Sequence, residues 1–214
     1  STRVKMGQSS NVYALVKADG SLALPALDYE FDGPDALADA YDAVRPPFSE
    51  TFSPRLSIGL NLGAQMFWQQ KSFPKQFAAA AHYLTLPQYW AMRLTGVAAS
   101  EATSLGAHTD LWQPAKADFS SLVANQGWRG LFPPLRSAFD VLGPLRPEIA
   151  AVIGAHKPIP VSCGMHDSNA SLLPHLMARR TPFSVVSTGT WVIIFSAGAS
   201  LEKLDPSRDC LANV

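Results

Sequence analysis

The stretch "GMHDSNASLLPHL" (164–176) sets a histidine and an aspartate, His166 and Asp167, between two apolar runs. A carboxylate at a glycine turn just past a strand end stands where the side chains of an α/β sheet meet ligands. Such a group can orient a hydroxyl and accept its proton late in a transfer reaction. It can equally cap the following helix by accepting from the first amides. One oxygen can serve each purpose, so both readings stand. His166 alone carries less, because a lone histidine is more often a packed or surface residue. Downstream, "VVSTGTWVIIF" (185–195) places Thr188, Gly189 and Thr190 inside a strand-like run. Threonines around a glycine gather amides and hydroxyls about one point, which suits a phosphate. A plain tight turn with self-capping threonines explains the same letters. It is no Walker loop, because the lysine and the following helix are missing.

The elements that must hold these groups follow from pattern and punctuation. "VYALVKADGSLALPALDY" predicts a strand over about 11–17, a turn at Ala18-Asp19-Gly20 and a second extended segment over about 21–28. A helix is expected from Pro34 to about Val44, another from about Gly63, and a third through "FPKQFAAAAHYLT". "LPQYWAMRLTG" predicts a helix with Pro87 in its first turn and Gly96 as its stop. "FSSLVANQG" is a short helix closed by Gly127, and residues 131–157 alternate helix turns with prolines. "PIPVSCGMHD" predicts a strand and glycine turn, "SNASLLPHLMA" a helix, and 183–198 one long strand or two strands. Strands interleave with helices, so the fold class is α/β. The best boundary is the charged turn "ARRTP" (178–182).

Composition bounds the functions. The chain has 214 residues, 47% of them hydrophobic and 16% charged, which describes a globular protein with a real core. Net charge is zero with no basic block, so neither nucleic acid nor an anionic membrane surface is expected as a partner. No apolar run approaches the roughly 18 residues a membrane span needs. Cys163 and Cys210 lie far apart in no metal-ligand spacing, ordinary usage for a cytoplasmic protein with reduced thiols. A serine hydrolase is disfavoured, because no strained Gly-x-Ser-x-Gly elbow is present.

In order and spacing the two stretches, following "PIPVSCG", resemble the core of the FGGY carbohydrate kinases. Three further segments carry the likeness. "GQSSNVYALVKADGSLALPALDYE" is similar to the family's sugar-binding loop, "LPQYWAMRLTG" to its helix ending in "RLTG", and "SEATSLGAHTDLW" to its serine-and-threonine stretch leading into an Asp and a Trp. The resemblance runs from about Gly7 to Val214.

The resemblance implies an actin- and hexokinase-like ATPase built from two ribonuclease-H-like domains, here incomplete. Residues 1–178 would be the sugar-binding domain, and 179–214 the first strands of the ATP-binding one. Asp167 falls on the general base toward the sugar hydroxyl and His166 on a substrate contact. Ser9 and Ser10 take the sugar-contacting positions after "GQ", where better-known members carry Met-His or Arg-Glu. Tyr29 aligns with an aromatic that packs on substrate. Thr188, Gly189 and Thr190 fall on the turn that contacts ATP phosphates. ATP with Mg²⁺ is the implied cosubstrate, no residue is assigned as a metal ligand, and a homo-oligomer is left open. "HDSN", "STGTW" and "LDPSRDCLANV" stand nearest the rhamnulose and fuculose kinases, so a ketose such as rhamnulose, fuculose or xylulose is the expected acceptor. The family's Asp-Gly-Thr/Ser phosphate loop does not precede "GQSSN", and its later Gly-Gly adenosine segment does not follow. The chain alone is therefore expected to be inactive. The rival expectation is a non-catalytic sugar-binding remnant.

Overall fold

A computed structural model of the chain describes residues 12–188 and 192–212, so Ser9, Ser10, Gly189 and Thr190 lie outside the described residues. The α/β alternation holds, with the described strands gathered in antiparallel pairs. β1 (Tyr13–Val16) is buried at all four positions. The expected hairpin partner reaches it only through the Val16–Leu22 bridge and the 2.8 Å bond from Ala23 N to Leu15 O. Gly20 makes the turn at φ +83°, but Pro25 has no N–H with which to extend the ladder. The true partner is β2 (His82–Thr85), antiparallel, with Tyr13 opposite Thr85 and Val16 opposite His82.

Four helices lie between β1 and β2. They are α1 (Ala38–Asp42), extending a 3₁₀ turn at Gly33–Leu37, then α2 (Phe48–Thr51), α3 (Leu62–Ser72) and α4 (Pro74–Ala78). The helix expected through residue 85 stops at Ala78. Alanine propensity is worth tenths of a kcal/mol per residue, and tertiary burial overrides it. Tyr83 in β2 stacks on Tyr13 with centroids 4.5 Å apart. A helical 82–85 would leave β1 without its ladder.

The remaining elements are α5 (Leu86–Thr95), α6 (Ala102–Leu105), β3 (Trp112–Gln113), β4 (Asp118–Phe119) and α7 (Ser121–Asn125). They continue with β5 (Val141–Pro144), α8 (Pro147–Val152), β6 (Pro160–Ser162), α9 (Asp167–Ala178), β7 (Phe183–Thr188) and β8 (Val192–Ala197). β5 pairs antiparallel with β6, where only helix turns were expected for 131–157. β7 and β8 form an antiparallel hairpin, two strands rather than one. α5 packs against β1 and β2 and also against β5 and β6, so one helix ties the two strand pairs together. Gly96 ends it as expected, in the left-handed region at φ +85°, with its N–H 2.7 Å from Met92 O.

Between α6 and β3, His108 and Asp110 adopt left-handed backbone at φ +38° and +64°. Asn61 Nδ2 holds this segment by donating to His108 O at 3.1 Å. Gly63 lets α3 seat against it, since a Cβ there would lie 2.6 Å from Tyr41 Oη and 2.8 Å from Thr109 O. The Asp110 carboxylate is wholly buried and accepts from Tyr41 Oη at 2.7 Å and from Arg45 Nη2 at 2.9 Å. Burial pushes its pKa up and the Arg45 and Tyr41 contacts pull it down, with the net shift upward.

Arg45→Met strands a buried carboxylate and should cost about 3–5 kcal/mol. Tyr41→Phe removes one hydrogen bond and should cost about 1–2 kcal/mol. Urea unfolding of both variants checks the order, and equal losses would show that Arg45 does not compensate Asp110. For His108, burial, with a smaller push from the His166 ring, lowers the imidazole from 6.5 to about 4. Across that interval the unfolded chain binds a proton that the folded chain does not. The contribution is complete above pH 6.5 and lost as pH falls toward 4, about 3 kcal/mol at the limit. His108→Asn suits the left-handed backbone and should flatten the acid limb of stability against pH. An unchanged limb would remove His108 as its source.

Candidate functional site

β6 ends at Ser162 and α9 begins at Asp167, so four residues without regular structure carry the chain into the helix. Their backbone is held from several directions. Cys163 N donates to Asp140 O at 2.9 Å and Gly164 N to Ala138 O at 3.0 Å. Gln88, buried in the first turn of α5, donates through Nε2 to Cys163 O at 3.2 Å and to Gly164 O at 3.1 Å. Thr85 Oγ1 donates to Gln88 Oε1, which sets which way the amide faces. Gly164 sits at φ +80°, a conformation that costs glycine little. His166 N donates to Thr103 Oγ1 at 3.0 Å, and His166 O accepts from Ala170 N at 2.9 Å.

His166 is the residue that caps α9. Its Nδ1 accepts from Ser168 N at 3.2 Å. The same N–H lies 2.6 Å from Asp167 Oδ1. Burial lowers the His166 pKa, and the Asp167 carboxylate, 3.4 Å away, opposes that shift. With Nδ1 accepting, the neutral ring carries its proton on Nε2 and can donate from there. The ring side chain is only 10% exposed, whereas that of Asp167 is 63% exposed. Both side chains thus bond the Ser168 amide, and Asp167 alone of the two is also largely exposed. Asp167, in the first position of the helix, also gains from the positive end of the helix dipole.

A second layer lies behind His166. Glu101, 3% exposed, accepts from Thr103 N and Ser104 N, each at 3.0 Å, and from Thr103 Oγ1 at 2.6 Å. Cys163 is free, and burial pushes its thiol up to about 11 against the hydrogen bond from Gln88. It stays protonated at neutral pH and offers no thiolate.

The structure brings His166 and Asp167 together at this turn. Thr188 ends β7, exposed and opposite Val192, and α9 packs against β7. Tyr29 is 8% exposed, and its carbonyl accepts from Gly59 N at 3.0 Å. No hydrogen bond among the described residues joins Tyr29 to the 163–168 turn. Ser9, Ser10, Gly189 and Thr190 are not among the described residues. Sequence reasoning did not single out Gln88, Glu101 or Thr103. The signal for the last two was present in "SEATS", a carboxylate two residues before a threonine at a helix start. Nothing in the sequence marks Gln88, whose partners are 75 and 76 residues away. Among the described residues, no group of three or more His, Cys, Asp or Glu side chains could hold a metal ion, and no helix is long and apolar enough to cross a membrane.

Known proteins are similar to this chain in sequence and in fold. Residues 57–174 match the N-terminal domain of the FGGY family of carbohydrate kinases, and 180–214 match the carbohydrate kinase FGGY C-terminal domain. The L-fuculokinase of Salmonella typhi is 27% identical over 184 residues, covering 85% of this chain and 38% of that protein. The crystal structure of a carbohydrate kinase from Novosphingobium aromaticivorans is 42% identical with a TM-score of 0.87, over 95% of this chain and 44% of that one. The glycerol kinase of Plasmodium falciparum, solved with ADP, shares the fold at 12% identity and a TM-score of 0.71, over 87% of this chain and 38% of that one. The chain thus spans about two-fifths of the length of these relatives. Since one family model alone matches more than half of its residues, from 57 to 174, this chain belongs to the FGGY family of carbohydrate kinases.

Proposed function

We propose that the protein carrying this sequence phosphorylates a sugar hydroxyl with ATP, and that Asp167 is the general base. The observation that carries the proposal is an exposed carboxylate at the first residue of α9, on a turn whose backbone is held by Gln88, Thr103, Ala138 and Asp140. Phosphoryl transfer asks of a protein mainly in-line positioning and charge stabilisation. An ordinary carboxylate, with a pKa of about 3.9, does not strip a proton from a resting sugar hydroxyl. It orients that hydroxyl and takes the proton as the new bond to phosphorus forms.

In this reading His166 donates to the sugar through Nε2, and Ser9, Ser10 and Tyr29 complete the sugar side. Thr188, Gly189 and Thr190 meet the nucleotide phosphates from the segment that follows residue 178. The division into a sugar-binding part, 1–178, and the start of an ATP-binding part, 179–214, belongs to the same proposal. ATP arrives as its Mg²⁺ complex, with the cation carried by the phosphates and water rather than by a protein cage. Membership of a carbohydrate kinase family and the likeness to a glycerol kinase solved with ADP support the nucleotide. The match to an L-fuculokinase supports a ketose acceptor.

Asp167→Asn keeps the size of the side chain and removes the base. Turnover should fall by about 10²–10⁴ with the fold intact by circular dichroism. Near-normal turnover would end the assignment.

The acceptor is tested with ketoses, deoxyketoses and glycerol, scored by kcat/KM. A site that hydrogen-bonds hydroxyls rejects an analogue lacking one, because buried polar groups are left unpaired. Discrimination should be steeper for hydroxyl configuration than for loss of a terminal methyl. If glycerol outcompetes every ketose, the ketose assignment fails while the kinase reading stands.

A further inference from the structure

Glu101 carries a carboxylate into the interior, where it makes no ion pair among the described residues. Capping a four-residue helix does not require this, since serine, threonine or asparagine does the same without a buried charge. The longer glutamate side chain adds a second reach. Oε1 takes Thr103 N, while Oε2 takes both Ser104 N and Thr103 Oγ1. The Thr103 hydroxyl is then used in both directions, giving its proton to Glu101 at 2.6 Å and accepting the His166 amide at 3.0 Å. A hydroxyl whose proton is fixed by a carboxylate presents its lone pairs in a fixed direction. Here that direction is the backbone one residue before Asp167.

We propose that Glu101 and Thr103 are positioning residues for the phosphoryl-transfer site, setting the place of the His166–Asp167 backbone through one charge-assisted hydrogen-bond relay. The inference rests on the reading of Asp167 as the base. Among the described bonds from outside α9 that hold the turn, this one lies nearest Asp167 along the chain. Gln88 acts on Cys163 and Gly164, three or more residues before Asp167. A displacement of about 1 Å at a reacting group can cost on the order of a hundredfold in rate.

The test uses the protein carrying this sequence, with kcat expressed per folded molecule. Thr103→Val, which keeps shape and deletes the hydroxyl, should lower kcat by about ten- to hundredfold while the sugar KM changes less than about threefold. Thr103→Ser should restore most of that loss. Hydrogen exchange at the His166 amide should quicken in Thr103→Val and return toward wild type in Thr103→Ser. A second arm is Glu101→Gln, which replaces one acceptor oxygen facing Thr103 by a donor. It should lower kcat similarly, and the double variant should be no worse than the worse single one, as expected for one relay. Should Thr103→Val fail to fold, Glu101→Gln and Thr103→Ser decide the matter, and wild-type kcat in Glu101→Gln overturns the relay. Full kcat in Thr103→Val, with Asp167→Asn inactive, overturns this inference and leaves the base intact. Full kcat in Asp167→Asn overturns the base itself.

Discussion

Buried in the first turn of α5, the Gln88 amide must satisfy its oxygen and its nitrogen on protein partners. It takes a proton from Thr85 and gives to the carbonyls of Cys163 and Gly164. Those carbonyls belong to a stretch with no strand or helix to occupy them, and a buried carbonyl left open costs roughly 1–3 kcal/mol. One side chain therefore satisfies the buried Cys163 carbonyl and the half-buried Gly164 carbonyl beside it, and in doing so it fixes how the chain leaves β6. The helix that carries Gln88 also packs on both strand pairs, so the turn inherits the rigidity of the whole α5 environment. A site built in this way is held by its surroundings rather than by the propensity of its own residues.

The ionic interior follows the same logic with different groups. Asp110 is compensated by a cation and a phenol, and Glu101 by two amides and a hydroxyl. The Asp110 carboxylate ties its segment to two side chains of the 41–45 region, and the Glu101 carboxylate holds the first turn of α6. Burial alone is non-directional and leaves the orientation of polar groups open. Hydrogen bonds to a charged acceptor are directional and roughly twice as strong as neutral ones.

How much of this was legible depended on the reach of each signal. Pro87 and Gly96 bounded α5 correctly, because both act on their own φ angle and need no partner. The β-branched, apolar run in 183–198 likewise announced one strand or two, and β7 and β8 are two. The His166–Asp167 pair stood out by type and by the adjoining glycine, and the Ser168 amide is shared between the two side chains, with His166 in the N-cap position. β2 was misread, because its alanine-rich approach is locally helical and only the distant Tyr13 makes a strand the better choice. β5 was not read at all, since Val-Leu-Gly-Pro is too short to show a period and finds its partner beyond an intervening helix. Pro174 lies inside α9 against its usual role as a breaker.

The pairing of β1 with β2 has a consequence for how this protein is made. Val16 waits for His82, so 66 residues must be polymerised between one side of the ladder and the other. At ribosomal rates that interval lasts roughly 3–13 s. Throughout it Tyr-Ala-Leu-Val, buried at every position in the finished fold, is a short apolar segment with one edge open and only the bridge to Leu22 and the bond from Ala23 on the other. Such a segment is the kind that holdase chaperones shelter and that neighbouring nascent chains can capture. The place of one strand in the sheet therefore sets a vulnerable period on the ribosome that the folded molecule no longer displays.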